Sequence, residues 1–275
     1  MVIENPPQAL FTPLTHYGAI HVTGNDAASF LQGQLTNDIT DITSRHGKLA
    51  AYCNQQGRVI ALFAVIAVAD GFLLFLPYDL LNAVLTRLRK FVVAAKVVLQ
   101  DVSADYIVFG GYSDKKEGFL TELQQVAPSS FYIDLLPNNG LFFYGAPIVE
   151  LQNLQEISKN HFSLIDKIQW NLLRMQFTVV EINQLNSEKF LPHYLNLVKL
   201  NVVNFKKGCY TGQEIIARMQ FRGTIKKHLL SLQFTASMAP TIDEEITTDP
   251  DEVAGTLVEY QEMAAGRYRG LLIVS

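Results

Sequence analysis

Apolar residues fall along this chain in two rhythms. From Val59 to Leu76 they run almost unbroken, cut only at Asp70-Gly71. The half before the cut, Val59 to Ala69, is too short to cross ~30 Å of hydrocarbon as a helix. Its Val and Ile content, the Asp-Gly turn and the following Phe72-Leu73-Leu74-Phe75-Leu76 predict a buried β-hairpin. From Asp79 to Val92 the spacing becomes helical: Leu81, Val84, Leu85, Leu88, Phe91 and Val92 share one face, and Arg87, Arg89 and Lys90 the other. Upstream, Ala19 to Val22 reads as a strand. Thr23-Gly24-Asn25-Asp26 then offers turn and cap chemistry for a helix from Ala27 to about Leu35.

Downstream, strands are predicted at Tyr106 to Phe109, ending before Gly110-Gly111, and at Leu141 to Tyr144. Helices are predicted at Phe119 to Val126 and Ser163 to Gln176. Beyond Lys227 the texture turns to strands: Leu229 to Phe234, a polar acidic loop from Ser237 to Glu252, then Val253 to Tyr260 and Leu271 to Val274. Helices and short strands without a regular alternation indicate an α+β fold.

Composition narrows the function classes. With 49% hydrophobic residues and a net charge of −4, the 275-residue chain is not disordered in bulk, and no broad basic surface for DNA or RNA is implied. Cys53 and Cys209, far apart, make no disulfide scaffold, and two thiols cannot supply the four ligands of an ordinary iron–sulfur cluster. The six histidines (16, 21, 46, 161, 193 and 228) form no zinc-type spacing, and no metal is expected. P-loop, dinucleotide-binding and nucleophile-elbow motifs are absent. The start, Met1 to Pro7, resembles neither a secretory nor a transit leader, so a cytoplasmic protein with no membrane span is expected.

One dense motif remains, Asn204 to Arg218. Thr211-x-x-Glu214 has capping-box spacing before an apolar segment, so Thr211 is the expected N-cap. Cys209 would then face a helix start, with Lys206 and Lys207 beside it, and both influences favour a thiolate. Gly208 and Gly212 allow a sharp turn or close approach to a ligand. The same residues also suit an ordinary buried cysteine beside a capped helix.

Lys207-Gly208-Cys209-Tyr210-Thr211-Gly212-Gln213-Glu214 closely resembles the signature of the YgfZ-type folate-binding proteins, relatives of the glycine cleavage T-protein (aminomethyltransferase). Further blocks share the resemblance: Gly24-Asn25-Asp26, Phe30 to Asp38, Gly57-Arg58-Val59, Leu88 to Val92, Phe190 to Leu197 and Arg218 to Gly223. The resemblance implies a folate-binding body over residues 1–226, of mixed antiparallel sheets and helices around a central channel. A ferredoxin-like part at residues 97–160 and a small C-terminal β-barrel at residues 227–275 complete the expected fold.

The resemblance also assigns roles. Tetrahydrofolate is the implied ligand, with Tyr17 (where the family carries Trp) and Trp170 as its aromatic contacts. Gln176 stands where the family has a Glu that accepts from the pterin edge; an amide lacks the charge that strengthens such a bond, so weaker folate binding is expected. Cys209 is the implied reactive thiol, aided by Lys207, with Gly208, Tyr210, Gly212, Gln213, Glu214 and Arg218 supporting the turn and helix. Aminomethyltransferases carry acidic residues shortly after the Gly57 turn; here Ala61 and Leu62 stand in that stretch, so orthodox transferase activity is not expected. The implied role is a monomeric, folate-dependent factor for assembly or repair of iron–sulfur enzymes and, through them, tRNA modification, without direct DNA binding and with at most indirect tRNA contact. The alternatives are a folate-dependent one-carbon transferase or demethylase, and a non-catalytic interaction module with structural folate.

Overall fold

The computed structural model describes residues 9–136, 139–154, 162–249 and 252–275. The chain start, His161 and the proposed boundary at residue 160 lie outside them. The first half contains β1 (Ala9–Pro13), β2 (Tyr17–Thr23), α1 (Ala27–Gln34), β3 (Lys48–Cys53), β4 (Val59–Val68), β5 (Gly71–Pro77), α2 (Tyr78–Arg89) and β6 (Val98–Asp101). The middle contains β7 (Tyr106–Ser113), α3 (Lys116–Val126), β8 (Phe131–Asp134), β9 (Leu141–Pro147), β10 (Ser163–Leu164), α4 (Lys167–Gln176) and α5 (Gln213–Arg222). The tail contains β11 (His228–Thr235), β12 (Glu245–Asp249), β13 (Glu252–Ala264) and β14 (Arg267–Val274).

The predicted hairpin is β4–β5, at the centre of an antiparallel sheet ordered β3-β4-β5-β2-β6. Its strands are buried on both faces, which explains the continuous apolar run. The apolar stripe of α2 (Leu80, Leu81, Val84, Leu85 and Leu88) is buried in the same core, while Phe91 lies past the helix end and is exposed. A second sheet is ordered β10-β1-β7-β9-β8, so the N-terminal β1 sits beside β7. The two sheets meet where Gly47 N–H donates to the Tyr132 carbonyl at 3.0 Å, and Tyr132 N–H to that of Arg45 at 3.0 Å. The tail forms a curled antiparallel sheet, β11-β14-β13-β12. Period-two alternation lets it serve two cores: Leu257 and Leu272 face a small core of their own with Phe234 and Tyr268, while Val258, Leu271 and Ile273 join the main one.

Three predicted elements are corrected. The strand at Tyr106 continues through Gly110-Gly111 to Ser113, because the glycines are where rings lie flat against the backbone. A Cβ on Gly110 would sit 2.5 Å from the Trp170 ring, and one on Gly111 2.3 Å from Phe142. The helix expected from Ser163 starts at Lys167, where Asp166 and Gln169 form a capping box, and Ser163-Leu164 pairs in parallel with β1 instead. The acidic loop of the tail contains β12.

Gly110→Ala is expected to cost about 1–3 kcal/mol through overpacking against Trp170. Gly33→Ala in α1, with open space around the added methyl, is expected to be neutral or to stabilise by about 0.5–1 kcal/mol. Denaturant midpoints of the two variants check both; equal midpoints would contradict the packing account.

Candidate functional site

An inner cavity of about 30 Å³ lies between the two main sheets and α4. Apolar walls include Leu49 of β3, Leu62 and Ala64 of β4, and Phe143 of β9, and Tyr17, Trp170, Arg174 and Glu181 also line it. The sequence expectation for Tyr17 and Trp170 thus converges spatially: residues far apart in sequence line one space. Tyr17 stands against Phe143 at 5.3 Å between ring centroids, and Trp170 is 1% exposed.

Gln176 is placed differently. A helix turns 100° per residue, so position 176 lies 200° from position 174, which faces the cavity. Gln176 is the exposed last residue of α4, turned away from the space that Trp170 and Arg174 line. No acid comes from β4 either: Leu62 faces the cavity and Ala61 the opposite side. The carboxylate in the lining is Glu181, which sequence reasoning missed because Val179-Val180-Glu181-Ile182 carries no motif.

Glu181 is held by a buried network. Arg174 of α4 reaches Glu259 of β13 with both terminal nitrogens, Nη1 donating to Oε2 at 3.0 Å and Nη2 to Oε1. Arg174 Nη1 also donates to the Val179 carbonyl at 2.7 Å. Glu259 Oε2 accepts from the Glu181 backbone N–H at 2.9 Å, and Asn186 Nδ2 donates to the Glu181 carbonyl at 2.9 Å. The Glu181 side chain then places Oε2 3.0 Å from the Tyr17 hydroxyl, which donates, and 3.2 Å from His16 Nε2. Burial opposes the charge on Glu181, but the His16 hydrogen bond and the Arg174 guanidinium outweigh it and hold the carboxyl at about 2. Tyr17 is pushed well up by burial and by the Glu181 carboxylate.

A wider cleft of about 480 Å³ adjoins the cavity, and Leu49 lines both. Its rim carries His46, Lys48, Asp134 and the segment Asn204-Phe205-Lys206 that leads into the octet. The octet is tied to the N-terminal block. Lys207 is buried, and its ammonium donates to the carbonyls of Gln32 (2.8 Å), Leu35 (2.6 Å) and Asn37 (3.0 Å), at the end of α1. All three of its donors are thereby engaged. Burial lowers it to about 8, against the pull of the Asp38 carboxylate. Asn204 N–H donates to the Thr36 carbonyl at 2.9 Å, and Asn37 Nδ2 to the Asn201 carbonyl at 2.9 Å.

Beyond Lys207 the chain opens. Gly208 has empty space where a side chain would stand, and Cys209 is exposed. The expected cap is corrected here: Gly212, not Thr211, is the N-cap of α5, at φ +82°, and no side chain caps the helix. A Cβ at Gly212 would lie 2.4 Å from the Asn54 carbonyl oxygen and 3.0 Å from the Gly57 Cα, so the β3–β4 turn demands glycine there. Cys209 consequently stands three residues before the cap. Tyr210 is buried, with Lys207 Nζ 5.3 Å from its ring centre; Gln213 is partly buried, while Glu214 and Arg218 are exposed on α5. The other thiol, Cys53, is fully buried, and burial pushes it up and out of reactive range. Among the described residues no group of three or more metal-ligating side chains is found, and no helix is long and apolar enough to cross a membrane.

No protein-family model matches the chain. The chain is 28% identical over 243 residues to the tRNA-modifying protein YgfZ of Yersinia pestis (strain Pestoides F), covering 85% of this chain and 73% of the relative. It is 28% identical over 250 residues to the protein of that name from Klebsiella pneumoniae (strain 342), covering 87% and 76%. The structure superposes on glycine cleavage system aminomethyltransferase T from Bartonella henselae with a TM-score of 0.69 and 13% identity, covering 96% of this chain and 78% of that one. The chain is therefore similar to YgfZ-type proteins over most of its length, and its fold is T-protein-like.

Arg174→Met is expected to destabilise by about 3–5 kcal/mol, since it strands the buried Glu259 carboxylate; a loss below about 1 kcal/mol on chemical unfolding would contradict the network. Glu181 is depressed in the folded state, so its stabilisation is complete above its ordinary 4.5 and is lost as pH falls towards 2. Glu181→Gln should flatten stability against pH in that window, where the native slope reaches up to about 1.4 kcal/mol per pH unit; an unchanged slope would show that Glu181 is not held ionised.

Proposed function

We propose that this protein is a tetrahydrofolate-binding factor that supports the assembly or repair of iron–sulfur enzymes and, through them, tRNA modification. The observation that carries the reading is the convergence of Tyr17, Trp170 and the Glu181 carboxylate on one inner cavity of a T-protein-like fold, beside a cleft rimmed by the start of the octet. The name of the YgfZ relatives supports the link to tRNA modification.

The lining suits the ligand in chemistry. Tyr17, Phe143 and Trp170 offer faces and edges to a flat heteroaromatic ring, and Glu181 offers an acceptor to its N–H edge. It does not yet suit it in size. Small-molecule sites hold roughly 300–1,000 Å³, and the enclosed space is about 30 Å³. To hold that ring the cavity would have to open towards the adjoining 480 Å³ cleft, with which it shares Leu49, and the partly exposed Tyr17 would have to release Glu181.

Bound tetrahydrofolate supplies one-carbon chemistry; the chain's own residues bind and orient it. Glu181, whose carboxyl the His16 hydrogen bond and the Arg174 guanidinium hold well below the usual carboxylate range, is an acceptor and a poor proton shuttle near neutrality. With Leu62 and Ala61 on β4, the cavity has no second acid, which favours a binding factor over a transferase. Cys209 is the exposed thiol of the factor, acting as nucleophile or transient ligand towards a client, with Gly212, Gln213, Glu214 and Arg218 forming the turn and helix behind it. The engaged ammonium of Lys207 fixes that turn against α1.

In a strain lacking the protein, the native gene is expected to restore the activity of iron–sulfur-dependent tRNA-modifying enzymes. Cys209→Ser should restore less than about a tenth of it while folding normally. Full restoration by Cys209→Ser would remove the thiol from the mechanism, and no restoration by the native gene would overturn the reading.

A further inference from the structure

We infer that the cleft between the octet helix and the tail sheet binds a single strand of RNA. This cleft holds about 540 Å³ and is lined in part by Ile215 of α5 and by Thr256 and Ile273 of the tail. It shares no lining residue with the inner cavity or with the cleft beside that cavity, so the inference stands apart from the tetrahydrofolate reading. Three cations line it, Arg58, Lys189 and Lys227, and none is paired with a carboxylate among the described residues. Arg58 Nη1 donates to the Lys189 carbonyl at 2.6 Å, and Lys189 Nζ to the Ile242 carbonyl at 3.2 Å. Those bonds hold the two head groups in place and leave their remaining donors for a ligand. Unpaired positive charge gathered in one cleft, on a chain of net charge −4, calls for an anion.

The rest of the lining selects which anion. Lys227 Nζ stands 5.7 Å from the centre of the partly exposed Tyr194 ring, so a cation and a flat ring are presented together, as the phosphate and base of a nucleotide require. Because that ring is recessed in the cleft, it meets an unstacked base and not one inside a duplex. Asp243 supplies the cleft's carboxylate, unpaired among the described residues, and its backbone is pinned by its own N–H donating to the Leu257 carbonyl at 2.8 Å. A carboxylate repels an acidic peptide but accepts from a ribose 2′-hydroxyl, which RNA carries at every nucleotide and DNA lacks. The positive charge also continues out of the cleft. Arg218 and Arg222 follow Ile215 at i+3 and i+7 along α5, within about 60° of its side of the helix and about 6 Å apart along the axis. Both are exposed and unpaired among the described residues. Phe221, beside Arg218 at i+3, is 71% exposed and offers a second ring. Cations that track a backbone with aromatic faces between them hold single strands with little regard to sequence.

Fluorescence anisotropy of a short labelled single-stranded RNA of mixed sequence, titrated with the full chain, tests the inference. Saturable binding is expected, with affinity falling at least ten-fold between about 50 and 200 mM salt. Arg222→Gln and Lys227→Gln together should weaken binding at least ten-fold and reduce the slope of log affinity against log salt by about 1.4. Both side chains are exposed and make no hydrogen bond among the described residues, so this variant is expected to fold. Lys115→Gln, at the start of α3, should change affinity less than two-fold. Tyr194→Leu should weaken binding at least five-fold with the salt slope unchanged, since stacking neutralises no phosphate; should it not fold, the charge variants decide. DNA of the same sequence, duplex RNA and adenosine monophosphate should each bind at least five-fold more weakly than the RNA strand. No binding at about 50 mM salt, or equal losses in Lys115→Gln and in the Arg222–Lys227 double variant, would overturn the inference. So would any of those three ligands matching the strand, or an oligoglutamate peptide displacing it at equal charge, which would assign the cleft to an acidic protein segment.

Discussion

The arrangement around the cavity depends on one buried ion pair, Arg174 with Glu259. A guanidinium and a carboxylate both buried are costly to desolvate and are tolerable only when each is paired and hydrogen-bonded. Here each is, and the pairing does more than neutralise charge. Arg174 ties the helix that carries Trp170 to β13 of the tail sheet, and the same Glu259 oxygen fixes the backbone of Glu181. The tail sheet is thus part of the site's construction: it sets where the aromatic wall and the carboxylate stand relative to each other.

A second construction, independent of the first, anchors the octet. Lys207 inserts its ammonium into the carbonyl end of α1, where a helix presents unsatisfied acceptors and negative dipole. The residues after it are therefore held at the base and open at the tip, with Cys209 exposed. Gly212 in the left-handed region closes the turn against Asn54 and Gly57. Within the eight residues, two structural demands are visible, an anchor at Lys207 and a turn at Gly212 with no room for a side chain, and between them the Cys209 thiol is exposed.

Much of this was legible in the sequence, and the failures have physical causes. The hairpin around Asp70-Gly71 and the helix over Leu81 to Leu88 were legible because apolar spacing alone specifies them. That Tyr17 and Trp170 line one cavity was legible only through family resemblance, since nothing local marks two residues brought together across the fold. Thr211 was misread as a cap because Thr-x-x-Glu spacing is a local signal, whereas the close approach of the β3–β4 turn is tertiary. Gly110-Gly111 looked like a strand end because the ring of Trp170 that requires it lies in another element. Glu181 was invisible: its meaning comes from Arg174, Glu259, His16 and Tyr17, which are scattered along the chain.

The central proposal is that the cavity between Tyr17, Trp170 and Glu181 receives the pterin of tetrahydrofolate. A crystal structure of the protein with tetrahydrofolate tests it most directly. The account predicts the pterin between the two aromatic residues, its amino edge on Glu181, and the 3.0 Å Tyr17–Glu181 hydrogen bond broken. A ligand bound elsewhere, with that hydrogen bond intact, would contradict it.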